Sequence, residues 1–220
     1  MCFRRQMLPH LICALICAVL CKQAQAEVTE FRDFLREFPA AYALQGPSSG
    51  KAGDEQRFAR VFEELVKRLK LPTELSREAV PKLAEQLSQD EKAPLLDRAR
   101  ANFVRAQYQQ AEERALLAGD AAHRAKPRKP ADISLSLQLA ALAALERGQK
   151  DSALKYIQVA QGETDPKKDL LNWAKIHSSL AHIHWRSGRP AEQISTLRLI
   201  LDEYLSAEGL TDPYTLHYHN

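Results

Sequence analysis

The stretch ALAALERGQKDSALKYIQVA, Ala141 to Ala160, decides the fold. Gly148 sits where one helix must stop and turn, and it tolerates the positive φ such a turn needs. Ala153, Ile157 and Ala160 then line one face of the next helix. Ala153 and Ala160, seven residues apart on that face, let two helices approach closely. The same set recurs imperfectly at Ala106, Ala111, Ala115 and Ala118, and again at Gly188, Gln193, Leu197 and Ile200, offset by 42 and then 40 residues. A fixed period in this range, filled with helix formers, predicts an all-α fold: an α-solenoid in which no helix pair buries its apolar face alone. Such a fold offers a binding surface rather than a bond-making pocket.

Working outward, Leu95 to Arg105 and Tyr108 to Ala118 read as the first pair. Ile133 to Glu146 and Asp151 to Gln161 form the second, and Asp169 to Arg186 and Pro190 to Leu205 the third. The repeat units span about 92–120, 131–162 and 167–208, with a partial unit at 212–220. Trp173, Ile176, Leu180 and Ile183 recur at +3, +4, +3, the stripe of a packed helix. No hairpin dipeptide between alternating runs signals a β-strand.

Residues 27–91 read as a helical segment capping the first repeat. Glu30 to Tyr42 carries Phe31, Phe34, Leu35 and Phe38 at helical spacing, and Gln45 to Gly53 (QGPSSGKAG) is expected to be a flexible break. Asp54 is the expected N-cap of a second helix with the stripe Phe58, Val61, Phe62, Leu65 and Leu69, stopped at Leu71-Pro72. Thr73 to Gln89 is a third segment, with Pro81 starting a new helix.

The first 26 residues are of another kind. Arg4 and Arg5 precede the apolar run Leu11 to Leu20, and Ala24-Gln25-Ala26 offers small residues for cleavage, the layout of a secretory signal peptide. The alternatives are an uncleaved membrane anchor and a lipoprotein site at Cys21, where the preceding Leu20 is bulkier than such a site wants. All four cysteines (Cys2, Cys13, Cys17, Cys21) lie in this segment, so residues 27–220 hold no disulfide, thiol nucleophile or thiolate metal site. Arg4, Arg5 and Lys22 carry the whole formal +3; the remaining 194 residues balance 28 basic against 28 acidic side chains. A balanced chain has no global field to hold nucleic acid. The expected location is secreted, periplasmic or envelope-associated if the segment is removed, and membrane-anchored otherwise.

With those residues in view, the chain resembles tetratricopeptide repeat (TPR) proteins over about residues 92–220. Ala141, Gly148, Ala153, Ile157 and Ala160 follow that family's small–turn–small–large–small pattern. The longer period and the stretch Glu203 to Leu216, a helix end followed by Gly, a turn with Pro and then Thr-Leu, are similar to the kinesin-light-chain subclass. Thr164-Asp165-Pro166 echoes that turn one unit earlier. The family's aromatic at the start of the first helix is missing from the first two units; in the third its place is taken by His177, with Trp173 four residues earlier. The chain ends at Asn220 inside the first helix of a fourth unit, without a polar capping helix. That end is expected to dock on a partner or a second copy, unless the sequence is curtailed.

The resemblance implies that the first helix of each pair lines a concave groove. Carried onto this sequence, the groove positions are Leu135, Gln138, Leu139 and Leu142, then Lys175, Ser178, Ser179, His182, Trp185 and Arg186. Tryptophan beside arginine is a residue mix found at interface hot spots; the plainer reading is that Trp185 seals the core between helices. The basic turn Arg124, Lys126, Arg128 and Lys129 is read as a solvated loop, or as a contact for acidic lipid or an acidic protein surface.

Other constellations point to no chemistry. Gly46 to Ala52 (GPSSGKA) is one residue short of a phosphate-binding loop and ends in Ala where a hydroxyl must reach Mg²⁺. His177, His182 and His184 lack the i,i+4 spacing of a helical metal pair, with or without His217 and His219. No cofactor, metal or catalytic residue is therefore expected. The reading is a non-enzymatic interaction scaffold, exported or held at the cell envelope, that grips a protein segment in its groove. The alternative, which follows from the resemblance, is a kinesin-light-chain-like cytoskeletal adaptor holding a bacterial tubulin-like filament against a membrane through Met1 to Cys21.

Overall fold

The computed structural model describes residues 30–43, 45, 50–71 and 75–207; the signal-like segment and Gly46 to Ser49 lie outside them. The described residues form nine helices and no strand: α1 (30–43), α2 (Gly50–Leu69), α3 (Ala79–Gln89), α4 (Leu95–Val104), α5 (Tyr108–Arg124), α6 (Pro130–Glu146), α7 (Lys150–Gly162), α8 (Leu170–Arg186) and α9 (Pro190–Ala207). The protein is all-α.

One turn is built three times. Ala106, Gly148 and Gly188 take φ of 56°, 77° and 74°. At each, the N–H of the residue itself bonds three residues back, from Ala106 to the Phe103 carbonyl, Gly148 to Leu145 and Gly188 to Trp185, all at 3.0 Å. The following N–H reaches five residues back, from Gln107 to Asn102, Gln149 to Ala144 and Arg189 to His184, each at 2.9 Å. This is the Schellman closure, which satisfies the last carbonyls of one helix before the next begins. The sequence period therefore corresponds to a backbone motif that joins α4 to α5, α6 to α7 and α8 to α9. Ala106 is the strained copy, since an L-residue in the left-handed region costs about 1–2 kcal/mol. Ala106→Gly is accordingly expected to raise the unfolding free energy by about 1 kcal/mol, read as a higher urea midpoint at constant slope. An unchanged or lower midpoint would contradict the strain.

Consecutive helices pack on one another from α3 onward, and α6 also touches α4 and α8. The first helices of the three pairs thus lie side by side. Ala111, Ala115, Ala153, Ile157 and Ala160 are fully buried, as the small-residue pattern requires. In the third copy the pattern breaks: Leu197 is exposed, together with Ile194, Leu201 and Tyr204 on the same helix.

Several boundaries differ from expectation. α2 begins at Gly50, inside the stretch read as a break, so Asp54 lies within the helix and does not cap it. The helix expected to start at Pro81 begins two residues earlier, and Pro81 occupies the first turn of α3, where its missing N–H is not required. α5 runs on to Arg124, past the expected end at Ala118.

The largest difference concerns the N-terminal segment. α3 stacks beside α4, at the end of the row, as a cap should. α1 does not join that stack. Its side chains Phe31, Phe34, Leu35, Phe38 and Tyr42 enter one core with Phe103 of α4 and Leu139, Leu142 and Ala143 of α6. Phe38 lies 5.3 Å from Phe34, 5.3 Å from Tyr42 and 5.4 Å from Phe58, ring centre to ring centre. Tyr42 meets Phe103 edge-on at 6.1 Å. α6 needs this cover because it is apolar all round: Leu139 to Leu145 form a continuous buried run, which no single stripe can shield.

Candidate interaction face

α4 and α6 share a core with α1, α8 meets α1 through Lys175 and Glu37 and across a cavity, and residues expected to line a groove are found here. Gln138 is buried and donates to Ser179 Oγ at 2.8 Å and to the Lys175 carbonyl at 3.2 Å. Ser179 Oγ in turn donates to the Lys175 carbonyl at 3.1 Å, so its hydroxyl is spent on structure and is no activated nucleophile. Leu142 is covered by the aromatic core of α1. Lys175 Nζ reaches Glu37 Oε1 of α1 at 2.8 Å. The expectation of an open groove is thereby corrected: Gln138, Leu142, Ser179 and His182 are all buried, because the chain lays its own helix over them.

Between α1, α2, α6, α8 and α9 a cavity of about 290 Å³ remains, bordered by Ala40, Ala41, Leu142, Ala174, Ser178 and His182. His182 is buried and its Nε2 has no hydrogen-bond partner. Burial above all, with Arg186 and then Arg57 adding to it against an opposing Glu146, pulls its pKa down to about 4. Trp185, whose ring centre is 5.4 Å from that of His182, is 45% exposed. It therefore does not seal the core between helices.

Beside this face sits an ion cluster that inspection of the sequence missed. Arg57 of α2 is 1% exposed and grips Glu146, the last residue of α6, through two nitrogens at 2.9 and 3.0 Å. It also donates to the Tyr42 carbonyl at 2.9 and 2.6 Å, and its guanidinium lies 3.7 Å from the centre of the Tyr42 ring. Arg186 donates to the same carboxylate, sharing its Oε1 with Arg57, at 3.1 Å. One carboxylate thus holds α2, α6 and α8 together. A local signal existed: Arg57 falls four and eight residues before Val61 and Leu65, on the apolar stripe of α2, where a charge must find a partner. The partner itself lies 89 residues away, beyond any local pattern.

His177 is buried, its ring tilted against that of Trp173 with centres 4.0 Å apart. Its Nδ1 donates to the Trp173 carbonyl at 2.9 Å, which leaves Nε2 to accept from the Gln161 amide at 2.9 Å. Burial lowers its pKa, against the Trp173 hydrogen bond and Glu203. No group of three or more His, Cys, Asp or Glu side chains able to hold a metal occurs among the described residues. The lowered imidazoles of His177, His182 and His184 carry one consequence for stability. The unfolded chain binds these protons near pH 6.5, whereas folded His182 binds one only near 4. The contribution is therefore complete above about pH 6.5 and is lost as the pH falls from there toward about 4. Urea midpoints measured across that window should fall, and His182→Leu should flatten the fall. A midpoint that rises on acidification would contradict the assignment.

The basic turn is largely answered by its own acids. Arg124 pairs with Asp120, Arg128 with Glu163 at 2.5 Å and Lys129 with Asp132 at 4.0 Å. Arg128 Nε also donates to His123 Nδ1 at 3.2 Å, while Lys126 precedes a cis Pro127. No helix among the described residues is long and apolar enough to cross a membrane.

No family model matches the chain, and no curated protein or solved structure is significantly similar to it.

Proposed function

We propose that this protein is a non-enzymatic interaction scaffold of the TPR type, built from the helix pairs α4/α5, α6/α7 and α8/α9, that holds a segment of a partner protein on the face of α4, α6 and α8. The observation that supports this reading is the threefold Schellman turn at Ala106, Gly148 and Gly188, together with the contacts of α6 with α4 and α8. A row of such helices offers many modest contacts to an extended or helical partner. Ser178 borders the cavity, while Trp185 lies at the end of α8 with its ring open to a partner, beside Arg186, which is paired with Glu146. Residues 1–26 would export the scaffold or hold it at the envelope, and a natural N-terminus at Glu27 is the mass expected for the exported form. A tubulin-like protein among its partners would instead select the cytoskeletal adaptor.

The test is capture of partners on the immobilised full chain, followed by Trp185→Ala. Because Trp185 is nearly half exposed, the substitution should leave the melting temperature close to that of the wild type. It should weaken the captured partner by at least about tenfold, the scale of a hot-spot residue. A partner that binds the variant as tightly as the wild type would refute the assignment of this face.

A further inference from the structure

We infer that the face of α4, α6 and α8 takes an amphipathic helix as its ligand, and that α1 is a built-in copy of that ligand which competes for the seat. This rests on the scaffold reading and names the class of partner it accepts. α1 meets the face as a docked helix would. Phe31, Phe34, Leu35, Phe38 and Tyr42, at i, i+3, i+4, i+7 and i+11, are all buried in the core shared with α4 and α6, Phe34 and Phe38 also meeting Phe62 and Phe58 of α2, while Arg32 and Arg36 remain exposed. That spacing is the anchor pattern by which grooves recognise helices.

Two ion pairs of opposite sense fix the register. Arg32 of α1 reaches Asp97 of α4 at 3.5 Å, and Glu37 of α1 reaches Lys175 of α8 at 2.8 Å. A cation one residue after the first anchor meets the α4 side, and an acid six residues after it meets the α8 side. A helix that offers large apolar anchors with this charge arrangement has the chemistry the face recognises.

α1 does not fill its seat. It sets Ala40 and Ala41 against the cavity bordered by Leu142, Ala174 and His182, and so leaves contacts to be made by a ligand with larger side chains. Its hold is reinforced from α2, where Arg57 grips both the Tyr42 carbonyl and Glu146. Arg57→Met removes that reinforcement while Glu146 keeps Arg186, so the change acts on the arm formed by α1 and α2 and spares the pairing of α6 with α8.

The probe is a fluorescein-labelled peptide of residues 30–43, titrated by anisotropy with the full chain. Arg57→Met is expected to bind it about tenfold or more tightly than the wild type, because apparent affinity scales with the fraction of chains whose seat is empty. In a second arm, the Lys175→Glu chain should prefer a peptide carrying Glu37→Lys over the native-sequence peptide. Equal affinity of wild type and a folded Arg57→Met overturns the inference. If Arg57→Met does not fold by circular dichroism, the charge exchange decides, and absence of the preference overturns it. Failure in these titrations with Trp185-dependent partner capture intact removes the helix ligand and leaves the scaffold; loss of Trp185 dependence removes the scaffold.

Discussion

Glu146→Ala is expected to lower the unfolding free energy by about 3–5 kcal/mol, the cost of breaking a buried ion pair from one side. The carboxylate accepts from Arg57 at 2.9 and 3.0 Å and from Arg186 at 3.1 Å, and Arg57 itself is 1% exposed. Without Glu146, one deeply buried guanidinium loses its bidentate carboxylate and keeps the Tyr42 carbonyl and ring. Replacement by an apolar residue on both sides costs less than replacement on one, since the desolvation penalty of the surviving charge disappears. Arg57→Met with Glu146→Met should therefore be more stable than the sum of the two single variants predicts. Urea denaturation of the four chains closes the cycle. A loss of less than about 1 kcal/mol for Glu146→Ala would mean that water reaches the cluster and screens it.

Phe38→Ala is expected to cost about 3–5 kcal/mol, the range for deleting a buried phenyl ring. Phe38 is 1% exposed and its ring touches those of Phe34, Tyr42 and Phe58, so the void lies at the junction of α1 and α2 and cannot be refilled by one neighbour. The loss should not spread evenly. α1 belongs to the aromatic core that covers α6, whereas α5 and α7 are packed on α6 from other sides. Amide exchange in residues 30–43 should therefore accelerate more than in α6 or α8, the mark of an element that opens before the whole molecule. Uniform acceleration across the chain would show that α1 is an inseparable part of one cooperative unit.

Much of the fold could be read because its causes are local. Ala106, Gly148 and Gly188 stand where the chain must take positive φ, and a short period of small residues marks the helices that follow. Those requirements act within one turn of helix, so single residues report them. Boundaries were less legible where two local effects compete: Gly50 and Lys51 are poor starts to a helix, yet α2 begins there, ahead of the better cap Asp54. The candidate site was half legible. Gln138, Lys175, Ser179 and His182 do border one cavity, positions that the resemblance to TPR proteins implied. That the face would already be covered was foreshadowed only by α6, whose run from Leu139 to Leu145 is too apolar on every side to be left open to water.

Taken alone, the sequence determined that the chain is helical, where the three recurring turns fall and which residues share each helix face, because propensity, capping and periodicity are properties of neighbours. Only the tertiary structure decided that α1 lies over α4, α6 and α8, that Trp185 stays near solvent, and that Arg57 and Arg186 meet on Glu146. Those outcomes depend on which apolar face finds which and on a charge that must be neutralised once buried, and neither is written in the spacing of adjacent residues.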